Sequence, residues 1–571
     1  MSETLISPGV LARENDNTQI TARPVEVGAA IVGPTVKGPL NIPTIVNSYS
    51  DYLAQFGSKF ESGSDSYSFL TSLSAFHYFQ NGGNTLLVTR VMEGSWSPAT
   101  SSAITDFRDQ TTGSFVLETL SSGRIMNTGT TELSNGALVT GSVDNVRWEI
   151  VNPNTSSGVF SVIIRRGDDN TKSKSILESF NNVSLDPKAG NYISKVIGDI
   201  TLTVQGTGTD VYIQPSGSYR NASKYVRVRA VNSKTPDYLD GNSNPKSIYT
   251  GSLPIAQSGS FGSGTGNIAP PGANFYNTIN NTNTQGLTGD NYTTALNLLA
   301  NKEEYKFKMI SAPGLIYANA DHATPLNTLV STVESRGDAI EILDLENYGS
   351  TITAAVGRAA GIDSSYTSTY WPWVQINDSE AGKLVWVPAS VMIPGVYASN
   401  DNSAEPWFAP AGINRGGLTA VLQAERKLTA TNKNTLYTGK VNPVATINGN
   451  VVIMGQKTLQ SKPTALDRIN VRRLLIELKT YISQVANVLV FDQNTIATRN
   501  SFLSQVNPYL ESVQQRQGLY AFQVTMDESN NTGDVIDRNE LRGAIYIQPS
   551  RTAEFVYLDF NILPTGAEFP S

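Results

Sequence analysis

The stretch VGAAIVGPTVKGPLNIPTIVNSYSDYLAQFG, residues 27–57, is the best starting point for predicting the fold. Its opening, VGAAIVG, is a short apolar run bounded by glycine, which is typical of a buried strand. A short helix is predicted over residues 48–57, because Ser48 suits the N-terminal cap and Gly57 suits the stop. A strand followed by a helix indicates an α/β layer.

The same pattern continues to residue 95. A helical stripe of apolar side chains precedes Gly82-Gly83, where the predicted helix stops, and TLLVTRV (85–91) is a predicted strand. The stripe consists of Phe69, Leu70, Leu73, Phe76 and Tyr78. Residues 25–95 are therefore predicted to form part of an α/β core.

Residues 285–400 return to this alternation after a long interruption. Helices are predicted at DNYTTALNLLANKE and LNTLVSTVESRG, and strands at YKFKMISAPG and AIEILDL. We assign this segment, together with 25–95, to a single α/β core.

A further α/β domain is predicted over residues 401–552. Its best helix covers residues 466–491, with Asp467 as the predicted cap, and a second helix covers 501–517. The run YAFQVTM that follows is predicted to be a strand.

The interruption itself, residues 96–284, has a different composition. Ser, Thr, Asn and Gly dominate between short strand-like runs such as FSVIIRR (160–166) and KYVRVRAV (224–231). We predict a β-rich insertion domain that faces outward, with a flexible loop over residues 250–290.

Both ends of the chain are predicted to be extended arms. Residues 1–24 begin with a Pro-Gly turn and continue with polar, weakly alternating sequence. Residues 553–571 contain AEFVYLDFNIL, in which side chains alternate between two faces as in a strand. A strand near the end of a chain leaves its main-chain groups open to any neighbour. Together, these segments predict a multidomain protein of the α/β and α+β classes, with an α/β core, a β-rich insertion domain and extended terminal arms.

Composition limits the function classes. The 571 residues carry a formal net charge of −7 and a pI near 5.2, which argues against a general nucleic-acid-binding surface. There is no cysteine, and His77 and His322 are the only histidines, so disulfides and multi-histidine zinc sites are excluded within one chain. No secretory signal and no membrane-spanning run are found, which predicts synthesis in the cytoplasm.

The sequence contains no specific catalytic or cofactor-binding motif. The two Gly-Lys pairs, at 382–383 and 439–440, lack the other residues of a phosphate-binding loop. His77 is predicted to be a core or interface residue because aromatics flank it, and His322 is predicted to be a solvated loop residue. We expect no catalytic residue, metal site or cofactor.

Three other clusters have a functional and a structural interpretation. The carboxylates Asp338, Glu341, Asp344 and Glu346 could perform acid–base chemistry, but solvated strand ends explain them more simply. WPWV (371–374) and EPWFAPAG (405–412) could stack on sugars, although packed aromatic turns are the simpler interpretation. Arg472, Arg473 and Lys479 form either a solvated helix face or a docking site for an acidic partner.

Several blocks resemble the contractile-tail sheath family, which includes sheaths of bacteriophage tails and related injection machines. Gly33-Pro34, Gly38-Pro39, Pro43 and Phe56-Gly57 match the early block of that family, and FHYFQNGGNTLLVTRV (76–91) resembles the next one. The most specific matches lie near the C terminus: INVRRLLIELKTYI, FLSQVNPYL, GLYAFQV and NNTGDVIDRNELRGAIYIQPSRTAEFVYLDF.

The resemblance implies a structural protein without a cofactor. Sheath subunits stack as hexameric rings in a six-start helix around a tail tube. They assemble in an extended, metastable state and contract to drive the tube through a bacterial envelope. The implied partners are further copies of the chain, the tail tube protein, and the baseplate and tail terminator proteins, with no direct nucleic-acid contact and no membrane insertion. The implied final location is the tail of a virion or an equivalent particle.

The resemblance also suggests roles for particular residues. Terminal arms of sheath subunits add strands to the sheets of neighbouring subunits, which would make residues 553–563 a donor strand. The implied donor residues are Phe555, Val556, Tyr557, Leu558 and Phe560, and the N-terminal arm contains Pro8, Gly9 and Val10. Arg472, Arg473 and Lys479 are candidate tube-facing charges, although the helix 501–517 could face the tube instead.

Two rival hypotheses remain open. A capsid, fibre or surface-layer protein would share the composition rich in Ser, Thr, Asn and Gly. An enzyme acting on glycans could use the aromatic and carboxylate clusters. Micrographs of self-assembled material and a turnover assay would separate these from a sheath subunit.

Overall fold

The computed structural model describes residues 26–62, 65–108, 113–126, 131–268 and 275–554. Pro8, Gly9 and Val10 of the predicted N-terminal arm lie outside this range. The same holds for Phe555, Val556, Tyr557, Leu558 and Phe560 of the predicted C-terminal arm. Both arms therefore remain predictions.

An eight-stranded sheet, called here the first sheet, lies at the centre of the fold. In spatial order its strands are Thr44–Val46, Leu86–Arg90, Glu26–Gly33, Lys306–Ser311, Ile340–Leu343, Thr367–Trp371, Asn442–Ile447 and Asn450–Ile453. The inner six strands run parallel, and the two outermost strands are antiparallel to their neighbours. The predicted mixed α/β architecture is confirmed.

The strand Glu26–Gly33 illustrates why this sheet is covered on both faces. Ala29 and Ile31 belong to one apolar cluster, and Val27, Ala30 and Val32 belong to the cluster on the opposite face. A parallel strand buried on both sides needs helices above and below it. The α-helices in the part of the chain that contains the first sheet are Tyr49–Phe56, Leu70–Gln80, Thr293–Leu299, Ala320–Arg336, Ile352–Ala359, Ile393–Ser403, Gly412–Arg415 and Ala430–Thr438.

The first two helices confirm the local predictions. Helix Tyr49–Phe56 begins after Ser48, whose Oγ accepts a hydrogen bond from the Asp51 amide at 3.1 Å. It ends at Gly57, which has a φ of 71° that favours glycine. Helix Leu70–Gln80 ends before Gly82-Gly83 as its apolar stripe predicts.

The first sheet extends further along the chain than expected. Asn442–Ile447 lies parallel to Thr367–Trp371, with Asn442 opposite Tyr370, and Asn450–Ile453 forms a hairpin with it. The predicted domain boundary at residue 400 is therefore not a boundary between sheets, because the first sheet continues to residue 453. Periodicity identifies a strand but does not say which sheet it joins.

Residues 98–262 build a second sheet with its own apolar cluster. In spatial order its strands are Ile176–Ser184, Val159–Arg166, Val146–Asn154, Gln257–Gly262, Pro98–Ser101, Gly113–Ser122 and Val226–Val231, with Ile104–Thr105 paired to Gly113–Ser122. The hairpin Thr201–Gln205 with Tyr212–Ser216 and the helices Ile193–Ile197 and Ser247–Thr250 complete this part. That it faces outward in an assembly remains a proposal.

The predicted flexible loop over residues 250–290 differs from the structure. Gln257–Gly262 is a strand of the second sheet, and Ile279 and Leu287 are buried in the clusters on the two faces of the first sheet. Gln285 is 1% exposed, and its Oε1 accepts a hydrogen bond from the Leu70 amide at 2.8 Å. The polar composition of residues 250–290 did not indicate these contacts, because a few buried side chains are enough to hold a largely polar segment against the core.

Short antiparallel strand pairs complete the part of the fold that is built around the first sheet, called here the first-sheet body. Val374–Asp378 pairs with both Lys383–Val387 and Val421–Ala424, and Lys59–Ser62 pairs with Asp65–Ser68. The expected aromatic turns are buried: Trp371, Trp373 and Trp407 are all shielded from solvent. The packed-turn interpretation of these tryptophans is confirmed.

The C-terminal part contains helices Ile469–Val488, Ile496–Gln515 and Gly533–Asp537 and strands Leu519–Thr525 and Ala544–Pro549. The two long helices confirm the predictions at 466–491 and 501–517. Asp467 is not the cap, because it lies in a short 3-10 turn and Arg468 occupies the cap position. The carboxylate of Asp467 instead pairs with Arg468 at 2.8 Å.

Deleting residues 98–264 should leave a folded core. Ser97 and Thr265 are bridged, with the Ser97 amide 3.2 Å from the Thr265 carbonyl, so two glycines can join them. Arg90 would lose the Ser122 carbonyl but keep the Gly38 carbonyl. We expect soluble protein whose melting temperature, measured by circular dichroism, falls by no more than about 10 °C.

A longer deletion provides the control for this experiment. Removing residues 98–280 also removes Ile279 and Tyr276, which belong to or pack against the first-sheet cluster. This variant should be insoluble or should unfold without cooperativity. Insolubility of the shorter deletion, or normal folding of the longer one, would contradict the assignment of the boundary.

Candidate assembly surfaces

A two-stranded ladder lies near the end of the described chain. It pairs Leu519–Thr525 with Ala544–Pro549 in antiparallel register, and Phe522 lies opposite Ile547. Among the described residues neither strand has a second neighbour, so each has one edge without a strand partner. A ladder of only two strands is marginally stable alone, and here the helix Ile496–Gln515 supports it.

The other surface of the ladder exposes large aromatic side chains. Tyr520 is 78% exposed and Tyr546 is 63% exposed. Aromatic side chains that combine an apolar ring with a hydroxyl are common at protein interfaces. The ladder therefore has edges without a strand partner in the described chain, and side chains suited to an added strand.

The chain that leaves this ladder is held at Glu554. Its carboxylate accepts hydrogen bonds from Arg468 Nε at 2.7 Å and Gln456 Nε2 at 2.9 Å, and from the hydroxyl of Tyr437. Gln456 Nε2 also donates to Thr552 Oγ1. We call these contacts the Glu554 clamp. They fix the point from which the predicted C-terminal arm begins.

The electrostatics of the clamp favour the charged carboxylate. Partial burial alone would raise the pKa of Glu554, but hydrogen bonds from Tyr437, Arg468 and Gln456 outweigh burial, so this pKa lies below its usual value. Next to the clamp lies a groove of 470 Å³. No sequence motif predicts the clamp, because its partners lie far from Glu554 in the chain.

Two of the three candidate tube-facing charges are inside the subunit. Arg472 and Arg473 are each 4% exposed. Arg473 pairs with Asp401 of helix Ile393–Ser403 and lies over the Tyr397 ring at 4.7 Å. Arg472 donates to the Ser365 carbonyl at 3.2 Å. The solvated-face interpretation is therefore wrong for these two residues, and buried guanidinium groups are not available to a tube.

Lys479 is the exposed member of the three. Its ammonium group lies 3.2 Å from the Tyr366 hydroxyl and makes no ion pair with a described residue. Beyond it, the turn between the two long helices exposes the large apolar side chains of Val488, Val490, Phe491 and Ile496. Phe491 is 100% exposed, which is unusual for a residue of its size.

The predicted carboxylate cluster is not solvated. Glu341, Asp344 and Glu346 are buried, which corrects the expectation of solvated strand ends. Burial raises the pKa of Glu341 to about 8, with Thr367 donating to its Oε2 at 3.0 Å. Burial likewise raises the pKa of Asp344 to about 7, although the amide and hydroxyl of Ser390 donate to its carboxylate.

The substitution Glu341→Gln should flatten the dependence of stability on pH. The pKa of Glu341 in the folded state is raised, so the folded state binds more protons than the unfolded state between about pH 4.5 and pH 8. Stability is thus lost as the pH rises through this window, at up to about 1.4 kcal/mol per pH unit. Glutamine removes this loss, so urea unfolding at pH 8 should show a more stable variant, with little difference at pH 5.

The control is Glu334→Gln. Glu334 is an exposed carboxylate on the facing helix and contributes to the raised pKa of Glu341. Its replacement should change stability by less than about 0.5 kcal/mol at either pH. Equal stabilisation of the Glu341 variant at both pH values would show that this carboxyl titrates normally.

Both histidines are buried. His77 matches its prediction as a core residue, whereas His322 lies in helix Ala320–Arg336, fully shielded, and is not a loop residue. Its Nδ1 accepts a hydrogen bond from the Ile316 amide at 3.1 Å, and burial lowers the pKa of each histidine to about 4.

Within the described ranges no group of three or more His, Asp or Glu side chains is placed to hold a metal ion. None of the described helices has the length and hydropathy of a membrane span.

Comparison with protein families identifies two adjoining domains. Residues 285–459 match the phage tail sheath protein central domain, and residues 461–563 match the phage tail sheath C-terminal domain. The second match covers the long helix pair, the ladder and the clamp residue Glu554.

Curated relatives agree with this result. The tail sheath protein of Enterobacteria phage T4 is 36% identical over 211 residues, which are 37% of this chain and 31% of that protein. The tail sheath protein of Vibrio phage KVP40 is 34% identical over 245 residues, 42% of this chain and 36% of that protein. The chain thus aligns with only about a third of the length of these two relatives.

A solved structure shares the fold over most of the chain. The crystal structure of the sheath tail protein from Listeria innocua superposes with a TM-score of 0.53, covering 92% of this chain and 96% of the other. Sequence identity in this superposition is 11%, so the likeness concerns the fold.

Proposed function

The chain belongs to the phage tail sheath family, and from this premise we propose that it is the structural subunit of a contractile tail sheath. In this proposal it polymerises around a tail tube in an extended, metastable state. It then contracts and drives the tube through a bacterial envelope. The matches to both sheath domains over residues 285–563 carry the proposal.

The proposed assembly is a stack of hexameric rings in a six-start helix, with the tail tube, baseplate and tail terminator proteins as partners. Contraction consumes no cofactor in this mechanism. Its free energy comes from interfaces between subunits that are better packed in the contracted state. Heterologous contacts between copies of one chain produce rings or helices, as such a stack requires.

We propose that residues 553–563 of each subunit add a strand to the ladder of a neighbour, and that the N-terminal arm does so as well. The free edges of the strands Leu519–Thr525 and Ala544–Pro549 support this acceptor site. The Glu554 clamp supports the donor role, because it anchors the arm where it leaves the subunit. Subunits could then move relative to one another without losing these main-chain bonds.

The energetics of one arm favour assembly only in a lattice. Each added main-chain hydrogen bond contributes about 0.5–1.5 kcal/mol. Ordering the arm costs about 1–2 kcal/mol per residue, which offsets much of that gain. A single arm would bind weakly, whereas many arms in a closed lattice would bind cooperatively.

For the tube contact, we propose the second of the two long helices, Ile496–Gln515, with the turn that precedes it. Burial of Arg472 and Arg473 leaves the first helix with few charges for a partner. Phe491 in the preceding turn and Ile496 at the start of this helix are exposed and available for contact. An apolar cluster on an otherwise polar surface is typical of a protein interaction site.

Electron micrographs of the purified, concentrated chain test the proposed function. We expect hollow cylinders with regular striations, the layers of stacked rings. Closed shells, flat lattices or thin fibres would instead support a capsid, surface-layer or fibre protein. A chain that stays monomeric at every concentration and releases sugars from glycans would contradict a structural role.

A further inference from the structure

A basic groove of 430 Å³ lies between the start of strand Lys306–Ser311 and helix Ile469–Val488. It combines residues of the first-sheet body with residues of the C-terminal part. Its charged side chains and their partners comprise five basic and three acidic residues, a net charge of +2: Lys302, Lys306, Lys308, Arg336, Lys479, Glu303, Asp338 and Glu477. This local charge is opposite to the net charge of −7 of the chain.

The internal pairs of the groove leave three of its lysines available. Arg336 binds Asp338 at 2.9 Å, and its guanidinium also donates to the carbonyls of Leu299 and Tyr305. Lys308 binds Glu477 at 2.6 Å, which joins the two walls. Lys302, Lys306 and Lys479 make no ion pair with a described residue. These pairs connect the walls of the groove, and the remaining three lysines are exposed or half-buried.

A segment of opposite charge lies elsewhere on the same chain. Residues 527–540 contain five acidic residues and one arginine, a net charge of −4, and most of their side chains are exposed. Arg538 binds Asp534 at 2.8 Å and lies 3.4 Å from Glu540. Glu528 and Asp537 have no ion-pair partner among the described residues. We call this the acidic segment.

We propose that the basic groove of one subunit receives the acidic segment of a second copy of this chain. The inference rests on the proposed function, since it describes one contact within the polymer. The two surfaces are complementary in charge: lysines without an ion-pair partner in the described chain line a concave site, and carboxylates without one lie on an exposed segment elsewhere. Such complementarity guides association and selects register.

The contact is heterologous, because the two surfaces are different parts of the molecule. Repetition of a heterologous contact does not stop at a dimer but continues as a ring or a helix. The pairing thus provides the directionality that a stacked sheath needs. It also assigns Lys479 to a contact between subunits and not to the tube.

Charge reversal and its compensation test the proposal. The groove-reversed variant carries Lys302→Glu, Lys306→Glu and Lys479→Glu, and the segment-reversed variant carries Glu528→Lys and Asp537→Lys. Each variant alone should need a chain concentration about tenfold higher, or more, before cylinders pellet on centrifugation. The combined variant and an equal mixture of the two single variants should both assemble at close to the wild-type concentration.

The control variant carries Lys172→Glu, Lys234→Glu and Lys427→Glu, three exposed lysines outside the groove. It makes the same change in total charge as the groove reversal and should assemble normally. Circular dichroism should show all variants folded, since the substituted side chains are exposed except that of Lys306, which is half-buried.

Three results would overturn the proposal. One is wild-type assembly by the groove-reversed variant. Another is failure of the folded combined variant to assemble. The third is a groove-reversed variant that forms cylinders but no longer cosediments with tail tubes, which would assign the groove to the tube.

Sedimentation velocity of the mixed single variants separates this contact from the sheath proposal. If the wild-type chain forms no cylinders, the proposed function fails. The mixture should still associate more strongly than either variant alone. Absence of that preference would refute the contact by itself.

Discussion

A chain that ends at Glu554 should fold normally and fail to assemble. This truncation keeps the Glu554 clamp, including its 2.7 Å contact with Arg468, and removes residues 555–571, which include all but the first two residues of the proposed donor strand. The melting temperature of the monomer should stay within about 2 °C of the full-length value, because in this proposal the removed strand packs on a neighbouring subunit and not on its own. Cylinders should be absent from micrographs and from the pellet at concentrations at which the full chain assembles fully.

The matched control ends at Pro564 and retains residues 553–563. It should assemble, since the proposed donor strand is intact. A third variant, Glu554→Ala, keeps the strand but removes the carboxylate from Tyr437, Gln456 and Arg468. It should assemble poorly, because the arm would then have to be ordered at a larger entropic cost. Cylinders from the chain ending at Glu554, or unfolding of that monomer, would mean that the strand completes its own subunit.

The substitution Arg473→Ala should cause the largest loss of subunit stability. Arg473 connects helix Ile469–Val488 to helix Ile393–Ser403 through Asp401 and covers the Tyr397 ring. Arg473 is buried and the Asp401 side chain is 23% exposed, so removing Arg473 leaves a partly buried charge without its partner and costs up to about 3–5 kcal/mol. The free energy of unfolding, from urea denaturation of the chain ending at Glu554, should fall by that amount.

Two further variants identify the cause of this loss. Lys479→Ala changes an exposed residue on the same helix and should shift the free energy of unfolding by less than about 0.5 kcal/mol. In the double variant Arg473→Met/Asp401→Asn the unpaired charge is gone and apolar volume remains, so part of the loss should be recovered. A small effect of Arg473→Ala would mean that water reaches Asp401 and that the helix packs without the pair.

The buried pair also bears on contraction. It joins the C-terminal helices to the first-sheet body, and Lys308 with Glu477 makes a second connection at 2.6 Å. Two charged connections between the same parts favour their movement as one body. In the proposed mechanism, therefore, the motion occurs between subunits, where the arms and the groove contacts lie.

Local sequence patterns were sufficient to predict most helices and strands and the resemblance to tail sheath proteins. The strand at 27–33, the helix capped by Ser48 and the long helix near 470–488 follow from patterns within short windows, because caps and apolar periodicity act between residues a few positions apart. The resemblance of the early and C-terminal blocks to sheaths depended on the same local motifs, and the domain match over residues 461–563 confirms it for the C-terminal blocks.

Which charged side chains are buried, and which groups they contact, could be read only from the folded structure. Arg472, Arg473 and His322 look like surface residues in the sequence, yet each is buried. Arg472 and Arg473 contact Ser365 and Asp401, which lie 107 and 72 residues away in the chain. The partners of Glu554 are 86 to 117 residues away, so no local window contains the clamp. The basic groove likewise combines Lys302 and Lys306 with Lys479. Burial and electrostatics depend on distances in space, and these exist only once the chain has packed.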